Sequence, residues 1–153
     1  MSASTSNPSV SVNDVPLWRL YVLRAAYLLI AVGLAGLIWP LLLSPPPDLE
    51  HARGVMWALL GAVGVLAVLG IRYPLQMLPL LFFELVWKSI WLALIGLPRW
   101  SAGTLDAAMS ASIFDCALGV VVALVAIPWG YVLRNYVRRP GEPWRRPVAE
   151  PGS

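Results

Sequence analysis

Four apolar runs, parted by short stretches of proline, glycine and charge, set the layout of the chain: residues 17–43, 53–71, 75–97 and 107–131. Each is near or above the roughly 20 residues that cross a hydrocarbon core. A span in lipid has to satisfy its backbone internally, and short links favour antiparallel neighbours. The pattern therefore predicts an all-α fold, a polytopic membrane protein built as an antiparallel four-transmembrane-helix bundle over residues 17–137. The ends, 1–16 and 138–153, are polar and rich in Pro, Ser and Gly without hydrophobic periodicity, so they read as disordered segments.

Within this frame the breakers and small residues are informative. Arg19 and Arg24 stand near the start of the first run, where both are expected to snorkel to headgroups while the crossing begins after Arg24. Pro40 bends or ends that run. A cleavable signal peptide is the competing reading, but the run exceeds the 7–15 residues or so of a signal core and lacks a small-x-small cleavage site. In the second run Gly61 and Gly64 are expected to mark a face where helix backbones approach closely. The GIRYP turn makes the second and third spans neighbours. Pro74 is tolerated in the first turns of the third span, and Pro79 is expected to kink it.

Composition agrees with this layout: of 153 residues, 59% are hydrophobic and only 12% charged, against about 25% charged in soluble domains. The net charge of +3 is modest and the arginines are clustered. They read as a topology signal and not as a nucleic-acid footprint. With four spans, Arg19, Arg24, Arg72, Arg134, Arg138, Arg139, Arg145 and Arg146 share one side, and only Arg53 and Arg99 the other. The positive-inside rule then puts both termini in the cytoplasm of a multi-pass protein of the inner membrane. The basic tail residues Arg134, Arg138, Arg139, Arg145 and Arg146 suit contact with anionic lipids at that face.

Chemistry concentrates in the third and fourth runs. Glu84 and Lys88 are four apart, on one helix face, inside an apolar stretch where a charge costs roughly 2.5–3.5 kcal/mol or more. Lys88 and Asp115 fall at about 13 and about 12 Å from the same membrane side, so the two are expected to meet if their helices adjoin. Glu84, Lys88 and Asp115 thus form the predicted intramembrane polar centre, either a proton-exchanging site or a neutralised network that fixes helix pairing. Trp91 is placed to cover the Lys88 ammonium. Phe82, Phe83, Trp87 and Trp91 are candidate pocket aromatics.

Other candidates are weaker. Cys116 excludes an internal disulfide and reads as a packing residue. His51, near Asp48 and Glu50, falls short of the three or four convergent ligands of a metal site. Ser110 and Ser112 are positioned to bond across helices. No serine-hydrolase elbow, phosphate loop, zinc-protease or dinucleotide motif occurs. No cofactor and no metal is predicted.

A resemblance follows from the second and third spans. The first span with its short loop, Arg53 with Gly54 opening the second, the GIRYP turn with Arg72, and two further spans resemble the DoxX-like group of small four-helix bacterial membrane proteins. The resemblance covers the layout from Arg19 to Tyr131. It implies a bundle in the inner membrane and, for some members, association with oxidoreductases or quinone-linked redox systems. It carries no functional residue over. The sequence thus leads to an accessory or structural component of a membrane complex, partnered by the lipid bilayer and by other membrane proteins or its own copies. The alternatives are a small oligomeric proton-coupled transporter and a quinone-linked oxidoreductase subunit.

Overall fold

The computed structural model describes residues 15–138; the extreme ends, with Arg139, Arg145 and Arg146, lie outside the described residues. Every regular element among them is helical, and four helical stretches, Leu17–Leu43, His51–Arg72, Leu78–Ser101 and Ala107–Ala126, are long and apolar enough to cross a membrane. The first comprises α1 (Leu17–Leu37) and α2 (Trp39–Leu43), with a break at Ile38. Pro40 accounts for that break, because it has no N–H to return to the carbonyl four residues earlier. The second stretch is α3 (His51–Arg72).

The third stretch begins at α4 (Leu78–Trp91), later than the expected 75. Residues 73–77 form a turn instead, closed by Met77 N–H to Tyr73 O at 3.1 Å. Pro79 therefore sits in the first turn of α4, where its missing N–H has no intrahelical partner to lose, and does not kink the helix. Further on, Leu92–Gly96 is a π segment leading into α5 (Leu97–Ser101). Pro98 explains it: with no N–H to offer Leu94 O, the helix widens and Leu97 N–H bonds to Leu92 O. Gly103, at φ 67°, then ends the stretch, with its N–H and that of Thr104 returning to Trp100 O and Arg99 O.

The fourth stretch, α6 (Ala107–Ala126), opens with Asp106 accepting from the N–H of Met109 at 2.6 Å. It stops well before the expected residue 131. Ile127 is extended (ψ 122°), as a residue before proline prefers, and Pro128 starts a new direction into α7 (Trp129–Val132) and a second π segment, Leu133–Val137.

The packing is uneven. α1 lies against α3 along most of their length and α4 against α6; α1 with α6 and α3 with α4 touch less. The fully buried side chains Leu23, Tyr27, Leu78, Leu81 and Ile127 gather where the first half of α1, the start of α4 and the end of α6 converge. Toward the other end Leu37, Leu43, Leu94, Leu97 and Trp100 are exposed. One end thus holds the core. The large apolar residues left exposed run along all four stretches.

Small residues set the α1–α3 contact. A Cβ on Gly64 would lie 3.2 Å from Leu34 Cβ, one on Gly61 2.8 Å from Leu42 Cδ1, and one on Gly70 2.4 Å from the Tyr27 ring. Gly61 and Gly64 thus face the chain's own first helical stretch. Two polar contacts lock the same interface: Tyr27 OH donates to Pro74 O at 3.1 Å, and Arg24 Nε donates to Ile71 O at 3.2 Å. Arg24 is therefore half-buried as a cap on α3, with its charge at the negative helix end.

Candidate functional site

Glu84 occupies the middle of α4 and is 4% exposed, the one buried charged residue among those described. Its helix places Trp87 and Lys88 one turn further on, and both turn back toward it. Lys88 Nζ donates to Glu84 Oε2, and Trp87 Nε1 donates to Oε1 at 3.1 Å. The Lys88 ammonium also stands 4.4 Å from the centre of the Trp87 ring. Each carboxylate oxygen thus has a donor from the same helix. The expected cation–π partner was Trp91, and the structure has Trp87 instead. Helical side chains lean toward the N-terminus, which carries the lysine back along α4 and away from Trp91.

The pair is covered by α6. A Cβ on Gly119 would come within 2.5 Å of Lys88 Cε and 2.8 Å of its Cδ, so the lysine stem lies directly across this glycine. Cys116, buried one turn earlier on α6, shares that face with Gly119 and Ala123. The centre is a compact unit in which a carboxylate, an ammonium and an indole neutralise and satisfy one another, and a glycine notch holds them against the next helix. No buried side-chain nitrogen or oxygen among the described residues lacks a partner.

Asp115 does not join it. The residue is exposed on α6 and forms neither an ion pair nor a side-chain hydrogen bond among the described residues. Equal depth is not met either: the third stretch runs on to Ser101, and Lys88 lies level with Gly119, one turn along α6 from Asp115. Cys116 and Gly119 occupy the face of α6 turned to α4, so Asp115 points elsewhere. The serines also differ from expectation: Ser110 and Ser112 Oγ donate to Asp106 O and Ala108 O of their own helix turns, at 2.9 and 3.0 Å.

The four aromatics do not converge on one pocket. Phe82 packs edge-on against Tyr136 with ring centroids 5.8 Å apart, and Phe83 is 50% exposed. Trp87 belongs to the ion pair, and Trp91 lies against Gly96 in the π segment. A separate cleft of about 310 Å³ opens sideways between α1 and α6, lined by Val22, Ala25, Leu29, Val121, Val122 and Val125 among others, and none of the four aromatics borders it. At the basic end, Arg19 stacks on Trp18 at 4.9 Å, and Arg134 and Arg138 are exposed around the last π segment.

Compared with protein-family models, curated proteins and solved structures, the chain matches none.

Proposed function

We propose that the chain is a multi-pass protein of the bacterial inner membrane, an antiparallel four-span bundle with both termini cytoplasmic, acting as an accessory or structural component of a membrane complex. The observation that carries this reading is the closure of the polar centre. Glu84 is satisfied at both oxygens by Trp87 and Lys88, and the lysine is seated on Gly119. A transport or catalytic carboxylate needs an open approach for its proton or substrate, whereas a closed pair suits a device that fixes how α4 and α6 pack. Four apolar stretches with exposed large side chains along them support residence in lipid. The clustered arginines support the orientation.

The proton-coupled carrier is the second reading, favoured by the burial of Glu84 inside an apolar stretch. The DoxX-like likeness keeps a quinone-linked role as a third proposal, although the scattered aromatics do not support it. One set of variants separates the first two. Glu84→Gln, Lys88→Met and the double neutral variant are scored for folded protein in detergent and for rescue of a deletion strain. In the structural reading the single Lys88→Met loses folded protein and the double variant recovers both fold and rescue. A double variant that folds but fails to rescue would sink the structural reading and favour the carrier.

A further inference from the structure

An outward-facing carboxylate is the anomaly of this fold. Asp115 is the ninth residue of the twenty-residue α6, so it stands about 12 Å from one end and about 16 Å from the other, near mid-membrane in the accessory reading on which this inference rests. Charged groups at that depth almost always face a bundle interior or a cavity and are paired. Asp115 is exposed and unpaired among the described residues, while Glu84, one helix away, is enclosed and paired twice.

A furrow able to receive a helix opens along the same face, beginning six residues beyond Asp115 at Val121. Asp115 precedes Val122 by two helical turns, on the stripe of α6 that lines the lateral cleft. Across that cleft the stripe of α1 runs through Val22, Ala26 and Leu29 and continues to Gly33 and Gly36. A Cβ at either glycine would meet no neighbour within 4 Å, unlike Gly61, Gly64 and Gly70, which are filled from within the chain. Of the four apolar stretches, α6 is the least buried. Small residues beside an open furrow permit close backbone approach in lipid.

We propose that this face of α6, with Asp115 at its centre, seats a transmembrane helix of another protein that carries a lysine or arginine at mid-membrane. Charge complementarity selects that occupant. A second copy of this chain has no cation to offer at this height: Lys88 is held by Glu84, Arg24 caps Ile71, and the remaining arginines of the four stretches stand near their ends. A lipid tail would fill the furrow and leave the carboxylate without a donor. A partner cation satisfies it and fixes the height at which the two proteins meet, which is the behaviour of an accessory subunit.

The test uses the full chain, fluorescently labelled and reconstituted into phosphatidylcholine vesicles, titrated with labelled poly-leucine transmembrane helices that carry one lysine or one methionine at the midpoint. Energy transfer should show about tenfold tighter association with the lysine helix, as expected for one interhelical polar contact. Asp115→Asn should remove the preference, Asp115→Glu should keep it, and Asp115→Lys should turn it toward a helix bearing aspartate. Equal association of the lysine and methionine helices, or a preference that survives Asp115→Asn, overturns the proposal. So does Asp115-dependent transfer between two labelled copies of the protein, which would assign the face to self-association. Protease protection on the same vesicles separates the two layers: a wild-type chain that fails to insert overturns the membrane reading itself, whereas an inserted chain without lysine preference overturns this proposal only.

Discussion

The stem of Lys88 lies across Gly119, leaving 2.5 Å between the lysine Cε and the place a Cβ would take. The glycine is thus the floor of the ion pair. An added methyl meets only the far part of a long, flexible side chain, so Gly119→Ala is expected to displace the ammonium while leaving the fold intact. Its stability in detergent should fall by about 1 kcal/mol, at the low end for overpacking. Labelling by an amine-reactive reagent, read by mass spectrometry, should become faster at Lys88 than in the parent protein. Unchanged labelling would mean that the lysine does not depend on the notch.

The ion pair itself predicts strong coupling. Removing one partner leaves the other buried and uncompensated, a loss of about 3–5 kcal/mol for such pairs, whereas replacing both can be nearly neutral. Lys88→Met should therefore be much more damaging than the double variant Glu84→Gln with Lys88→Met. Unfolding titrations on the parent, both singles and the double give the coupling directly. Additive losses would refute a closed pair.

At the α1–α3 contact two substitutions should rank in a definite order. Tyr27→Phe removes the donor to Pro74 O and leaves a buried carbonyl unpartnered, worth about 1–3 kcal/mol. Gly70→Ala drives a methyl to 2.4 Å from the root of a ring that is fully buried and cannot swing away, so it should be the worse of the two. Thermal unfolding in detergent checks the order. Tyr27→Leu should partly rescue Gly70→Ala, and a lack of rescue would show that the clash lies elsewhere.

Tyr136 gives a prediction at alkaline pH. Partial burial, then the neighbouring Tyr131, pushes its phenol above the ordinary tyrosine value. A group raised in the folded chain stabilises it fully below its unfolded pKa, about 10 for tyrosine, and that contribution is lost as pH rises through the raised value. The absorbance difference between parent and Tyr136→Phe should therefore titrate above the free-tyrosine range. Removing the ring of Phe82, which packs on it, should bring the titration down.

What the sequence made legible is what depends on near neighbours along the chain. Length and apolarity mark the four stretches without reference to packing, and the Glu84–Lys88 pair follows from a four-residue spacing on one helix. The height of Asp115 relative to Lys88 depends on where the third stretch ends, and the π segment before Pro98 carries that end on to Ser101; direction about the helix axis is not set by rise per residue at all. Rotation of α6 about its axis is decided by which small residues meet α4, and Gly119 is one small residue among many in an apolar run. The same holds for Arg24. Its position near a helix start does not disclose the carbonyl it caps, which only the approach of α3 supplies. Gly119 could have been singled out by one signal, a glycine three residues beyond Cys116 on the helix paired with a buried lysine.

The two contacts from α1 to the far side of α3 also bear on the order of assembly. Arg24 and Tyr27 are made before the segment they cap, and Ile71 and Pro74 come within their reach as soon as α3 is complete. The growing chain thus carries the cap for α3 in advance, so the first two stretches can close on each other while α4 is still being synthesised. The pair made of Glu84 and Lys88 then arrives at a half-built protein whose first interface is already fastened.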